Sequence, residues 1–445
     1  MSIPLSFNQE FLCMFDQGDE QGPFGPLYNI VGGWRLAGKV DTDALREALD
    51  DIVVRHEALR TTIVRTPGDQ RQEIHPASPV RLEVRDLSEP DHAARARRAE
   101  ELLIKLEGGH HGVEDLPLIR AVLGRFDEED AVLVLVVHHT AADEVSMQLI
   151  IRDLGVRYAE RRGHEVAPLP EATRFRDFAV WERERYAPSV EVAARDYWRL
   201  QLAGARITGV PTDHPKSAGV AKTTAVHRFR VDAELTSAAL AMARQTRGSA
   251  FMVLLAAYKV FLNGLVGEDD IVVPTLASGR GPARFQNTVG AFFNFVPLRT
   301  NVSGAATFRE VVRRTRTTCL KAYGNPLPFG QVVAGAPELA ASFGADDLGV
   351  VAFQVFQFPA LEGEDAGDVR ISEIRRRLLS QSVSTDIPDG AMLQLDIDPA
   401  SGEMLGHLGY NTNLFHESTM REFAAGFVEV LGPLLRNPDA PLSRS

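Results

Sequence analysis

The chain has 445 residues, of which 44% are hydrophobic and 24% charged, and carries a formal net charge of −12. That acidic balance argues against a nucleic-acid binder, which needs a concentrated basic surface, no apolar run reaches the ~18 residues of a membrane helix, and the two cysteines, Cys13 and Cys319, are too far apart in sequence to suggest a disulfide framework or a structural zinc site. The length exceeds what one hydrophobic core usually covers, so two lobes of roughly 150 to 250 residues are expected.

In chain order, the opening MSIPLSFNQEFLCMF lacks the basic and small-residue features of a secretory signal, and a cytoplasmic protein is expected. Asp41 to Arg55, DTDALREALDDIVVR, begins with an Asp/Thr cap and sets Leu45, Leu49, Ile52 and Val53 on one stripe, which predicts an amphipathic helix. ALRTTIVR, immediately after it, reads as a strand. EGGHHGVEDL follows glycines into a polar loop, where His110 and His111 are expected to stay solvated near the usual imidazole pKa of ~6.5.

Val132 to Val137 is a run of aliphatic residues too short to span a membrane and too β-branched for a typical helix, so it predicts a buried strand that ends at His138 and His139. Helical spacing follows, with Asp143 at the cap and Val145, Leu149, Ile150 and Leu154 on or near one face. RRGHEVAPLPEATR is the expected connection between lobes. Beyond it the pattern predicts a helix over Thr236 to Leu265, a strand over Asp270 to Leu276, a turn at Ala277 to Pro282, and strands near Val289 to Leu298 and Leu348 to Phe358. Strands interleaved with helices throughout predict an α/β architecture.

The chemistry concentrates at the paired histidines. Spacing alone is not diagnostic, because His110, His111 and Asp115 repeat it. Context separates the two pairs: a general base needs a rigid mount that holds heavy atoms within roughly 2.6 to 3.2 Å, and only His138 and His139 follow a buried strand. Side chains alternate faces along a strand, so one of these histidines faces a cleft while the other is held by packing, and His139 is the better base. Asp143 suits a helix cap, and it also suits an ion pair with Arg280, Arg55 or Arg60. The arginine runs Arg313, Arg314, Arg316 and Arg375 to Arg377 read as solvated faces. There is no phosphate loop, no dinucleotide fingerprint and no serine elbow, and Arg60 stands where an HExxH zinc site would need its second histidine. A base without a nucleophile of its own suits direct transfer between two bound substrates.

Taken together, these residues resemble the condensation domains of non-ribosomal peptide synthetases, relatives of chloramphenicol acetyltransferase. The family signature HHxxxDG corresponds to His138, His139 and Asp143, and around it in family order lie PLSFNQ, RHEALRTT, FRDFAVW, DYWRLQLAG, PTDHP, VGAFFNFVPLR, NPLPFGQVV and LGYNTNLF. The resemblance implies a pseudo-dimer of two acetyltransferase-like lobes, residues 1–170 and 171–445, with the active site in a tunnel between them. It implies that His139, with His138 beside it, acts on an acceptor amine or hydroxyl that attacks a thioester on a carrier-protein phosphopantetheine arm, with no bound cofactor. Asp143, Arg280 and Arg60 would position the loop, and Glu144, Gln357 and Asn294 would lie at or behind the tunnel wall. Glu144 departs from the family pattern, which has glycine there. It leaves open a non-catalytic relative that recruits a carrier or tailoring enzyme, and a donor presented on coenzyme A is a further option. With no adenylation or carrier motif beside it, the unit is expected to be free-standing, to receive its carrier in trans and to serve antibiotic biosynthesis.

Overall fold

The aliphatic run becomes the centre of a sheet. In the computed structural model, which describes residues 2–187, 189–357 and 362–442, the strand Asp130–His138 is buried from residue 131 to its end. Both faces are covered, which is why no polar alternation marks it. Val132, Val134 and Val136 pack under the helix His92–Glu107, whereas Leu133, Leu135 and Val137 join the core with the helices Thr42–Arg55 and Glu144–Arg161. Asp41 caps the first of these helices by accepting from the N–H groups of Asp43 and Ala44.

The sheet around this strand runs, edge to edge, Glu362–Ala366, Val369–Glu373, Asn29–Ala37, Asp130–His138, Ile119–Arg125 and Arg81–Asp86. A second sheet runs Gly209–Pro211, Leu348–Phe356, Ala391–Ile397, Met404–Asn411 and Thr224–Val231. It packs with the ribbon of Asp270–Ser278 and Phe293–Asn301 and with the helices Ala233–Gln245, Ala250–Val266 and Glu417–Arg436 around the larger core. The result is a two-lobed mixed α/β fold.

Four expectations need correction. The helix expected over Thr236 to Leu265 is two helices, Ala233–Gln245 and Ala250–Val266, meeting at 109°. Arg247 takes a left-handed φ of 51°, Gly248 follows, and Ser249 caps the second helix through Met252 N–H; the polar run RQTRGS between two apolar stretches was the local signal for this break. ALRTTIVR begins as a 3-10 turn at Glu57–Arg60, and only Thr61–Val64 is strand. The turn expected at Ala277 to Pro282 is still strand through Ser278, and the next strand starts at Phe293 rather than Val289. Leu348–Phe356 forms the later strand, while Phe358 lies outside the described residues.

The sheets also depart from a simple split of the chain at residue 170. Val369–Glu373, from the second half, pairs antiparallel with Asn29–Ala37 from the first, over Trp34 to Ala37. Ile374 N–H adds a last bond to Gly33 O at 2.8 Å, and then the chain leaves the sheet. The gap that opens there is part of the site.

Candidate active site

His138 and His139 sit where the buried strand ends, and their ring hydrogen bonds fix opposite tautomers. A carbonyl oxygen only accepts, so the ring nitrogen facing it carries the hydrogen. His139 Nδ1 lies 2.9 Å from Ala142 O, which leaves its lone pair on Nε2. His138 Nε2 lies 3.2 Å from Gly25 O, and its Nδ1 accepts from the Thr140 hydroxyl at 2.8 Å. His138 is fully buried with both nitrogens engaged, and burial pushes its pKa down to about 3. Of the two histidines, it is the one held by packing and hydrogen bonds. Burial also holds His139 below the ordinary imidazole range, so it stands neutral. The Tyr28 ring stacks on it at 4.9 Å and the Phe293 ring meets it edge-on at 5.0 Å.

Asp143 fills both roles foreseen for it. Its Oδ1 accepts from Ser146 N–H at 2.8 Å as the helix cap, and the same oxygen is bonded by Arg280 Nη2. Arg280 also donates to Ser146 Oγ at 2.9 Å and to Thr288 O, and its guanidinium lies 4.1 Å above the Phe292 ring. Ser146 Oγ reaches Gly290 O at 2.9 Å and accepts from Gly290 N–H at 3.1 Å. The start of the helix Glu144–Arg161 is thereby tied to the segment 280–292.

His139 opens on a cavity of about 390 Å³ lined by both halves of the chain, including Tyr28, Asp143 and Glu144 from the first and Ser278, Phe293, Phe295 and Gln354 from the second. Glu144, Glu373 and Asp396 make one part of its wall acidic. Burial, with Glu373, Asp143 and Asp396 nearby, raises the Glu144 carboxyl to about 7, and burial and Glu373 raise Asp396 to about 6 despite Arg375. Another part carries Arg228, Arg377 and Glu107, where burial raises the Glu107 carboxyl but the two guanidinium groups outweigh it and hold it at about 2.

Other residues named from the sequence lie elsewhere. Arg60 donates to Val53 O and His75 O, and Arg55 to Asp153 at 2.8 Å, so neither meets Asp143. Asn294 faces away from the cavity, between Phe293 and Phe295, and its amide ties Leu327 O and Phe329 N–H together at 3.0 and 2.9 Å. Gln357 is exposed just past the strand Leu348–Phe356; Gln354 is the amide on the wall, held by Thr275 Oγ1 at 2.8 Å. The alternation of VVAFQVF, which puts Gln354 and Phe356 on one face, was the available signal. His111 is buried, with burial lowering its pKa to about 4, so only His110 fits the expected solvated loop. Arg375 and Arg377 line the cavity rather than a solvated face.

A linear gramicidin synthase of Brevibacillus parabrevis is 32% identical over 446 residues, covering 99% of this chain and 8% of that protein, so the chain spans a small part of the relative's length. SgcC5 from Streptomyces globisporus, solved in complex with (R)-(-)-1-(2-naphthyl)-1,2-ethanediol and sucrose, superposes with a TM-score of 0.95 at 52% identity, covering 99% of this chain and 100% of that one. The X-domain from teicoplanin biosynthesis, solved in complex with OxyB, superposes with a TM-score of 0.74 at 25% identity, covering 100% of this chain and 97% of that one. The family model described as Condensation domain matches residues 1–445, and the chain belongs to the condensation domain family of non-ribosomal peptide synthesis, with its two-lobed chloramphenicol acetyltransferase-like fold.

Proposed function

We propose that this chain is an acyltransferase that moves an aminoacyl or similar group from a carrier-protein phosphopantetheine thioester to the hydroxyl of a small acceptor, forming an ester. The carrying observation is the lone pair on His139 Nε2, fixed by the Nδ1 bond to Ala142 O and presented to a cavity lined by both halves. In the proposed step the acceptor oxygen attacks the thioester carbonyl while its proton passes to Nε2. The tetrahedral intermediate then collapses, the carbon–sulfur bond breaks, and the imidazolium returns the proton to the departing thiolate. Proton transfer by a held base contributes on the order of 10² to 10⁴ in rate, and alignment of donor and acceptor adds to it.

A hydroxyl acceptor is favoured over an amine by the aryl diol present in the SgcC5 complex, and the Tyr28, Phe293 and Phe295 rings near His139 suit an aromatic group. An alcohol is a weaker nucleophile than a neutral amine and depends more on the base. The test is incubation of an aminoacyl-pantetheine thioester with aryl diols and matched amines. Acceptor-dependent ester from wild type, lost in His139→Ala, is the expected result, and amide formation from the amines with no ester from the diols overturns the choice of acceptor.

The X-domain complex with OxyB supports a second reading, a module that recruits a carrier or tailoring enzyme without chemistry. Tight carrier binding with no product from any acceptor favours that reading.

A further inference from the structure

We infer that the open edge of the strand Asn29–Ala37, at Val31, binds the β-alanyl segment of the pantetheine arm as a short added strand, an inference that rests on the thioester-donor reading above. Two bonds set the direction of each backbone group in this strand. His139 N–H donates to Tyr28 O at 2.8 Å and Gly38 N–H donates to Glu129 O at 2.7 Å. In an antiparallel ladder the bonding residues alternate, so the even-numbered residues between them face Asp130–His138 and the odd-numbered ones face the other edge. On that other edge Ile374 N–H donates to Gly33 O at 2.8 Å, continuing the pairing that includes Trp34 with Glu373. The same register would set Arg376 opposite Val31, but by then the chain has left the sheet. Among the described residues nothing pairs with the outward N–H and C=O of Val31.

This edge faces the catalytic cavity: Ile30, Val31 and Gly32 line it on one side of the gap, and Ile374 and Arg375 on the other. A backbone donor and acceptor left open in a partly dry wall favour a ligand that offers the reciprocal pair. The β-alanyl segment offers one N–H and one C=O on a single extended unit. Reach agrees as well. Val31 is three residues, roughly 10 Å of strand, from Tyr28, whose ring stacks on His139 at 4.9 Å. From the thioester sulfur the carbonyl and N–H of that segment follow after about four and about seven bonds, roughly 5 to 9 Å along the extended arm. Sulfur beside His139 and β-alanyl beside Val31 are therefore compatible.

The experiment measures calorimetric affinity for an unreactive S-alkyl pantetheine and for its analogue with the β-alanyl N–H replaced by oxygen. The oxygen analogue should bind about 5- to 20-fold more weakly, the loss of one hydrogen bond. Val31→Pro removes the outward N–H without touching the ladder to Asp130–His138, and should weaken the parent arm by a similar factor. If Val31→Pro does not fold, incorporation of the α-hydroxy analogue of valine at position 31 removes the same N–H and is measured instead. Affinity within twofold in either comparison, or no binding of the parent arm, overturns the inference. Because the readout is binding, the expected losses without turnover would sink the acyl-transfer reading alone, and turnover with equal affinities would sink this inference alone.

Discussion

Arg280 bonds Asp143 across 137 residues of chain, with side chains only 3% and 9% exposed. One carboxylate oxygen thus caps the helix Glu144–Arg161 and holds a guanidinium from the other half, beside the loop whose Ala142 carbonyl fixes the His139 tautomer.

Asp143→Asn separates these two roles. Asparagine caps a helix about as well as aspartate, but it leaves the buried guanidinium without its counter-charge, a loss of about 3 to 5 kcal/mol for a buried pair broken on one side. Urea unfolding should show a drop of that order, with turnover falling as the loop loosens. Stability within about 1 kcal/mol of wild type would mean the charge contributes little.

The adjacent histidines should respond in opposite ways. His139→Ala should lower turnover by about 10² to 10⁴ with a nearly unchanged melting temperature. His138→Ala removes a fully buried ring and its two bonds, and should cost about 2 to 4 kcal/mol, read by thermal unfolding. Equal effects of the two variants on both measurements would refute the assignment.

The pH dependence follows from two shifts of opposite sign. The folded state holds His138 near 3, well below its unfolded value, so the unfolded chain binds the extra proton as pH falls below about 6.5, and stability declines with acidification. Glu144 is raised to about 7, so its protonated form favours folding below the ordinary carboxyl range and that stabilisation is lost as pH rises through 7. Glu144→Gln should therefore gain stability relative to wild type at pH 8 and little at pH 5, checked by paired melts. A gain of the same size at both pH values would show that the carboxyl does not ionise in this window.

A Cβ at Gly290 would lie 2.1 Å from Phe175 Cδ2, in the segment that Ser146 holds through both backbone groups of Gly290. Gly290→Ala should cost about 1 to 3 kcal/mol by overpacking and lower turnover. Phe175→Leu in the same chain should recover part of the stability in thermal melts.

Much of this arrangement is legible in the amino-acid sequence. The strand into His138 and His139 announces itself by six aliphatic residues in a row, and the helix after Asp143 by its cap and spacing. Both are local signals. The ion-pair partner of Asp143 is not local: Arg55, Arg60 and Arg280 were equivalent on paper, and only the fold brings Arg280 across while turning Arg60 to Val53 and His75. Which of the residues near Asn294 and Gln357 meet the cavity turns on strand parity and strand length, where one residue decides which face a side chain meets. The acidic wall draws on Glu144, Glu373 and Asp396 from separate elements, so no stretch of sequence displays it.

The strand Val369–Glu373, borrowed by the first sheet from late in the chain, has a consequence for biosynthesis. During translation the first sheet waits with a bare flank until residue 373 has emerged from the ribosome, and a bare flank invites pairing with other chains. Fragments cut near residue 170 would meet the same hazard permanently, so the halves should be recovered by co-expression and not one at a time.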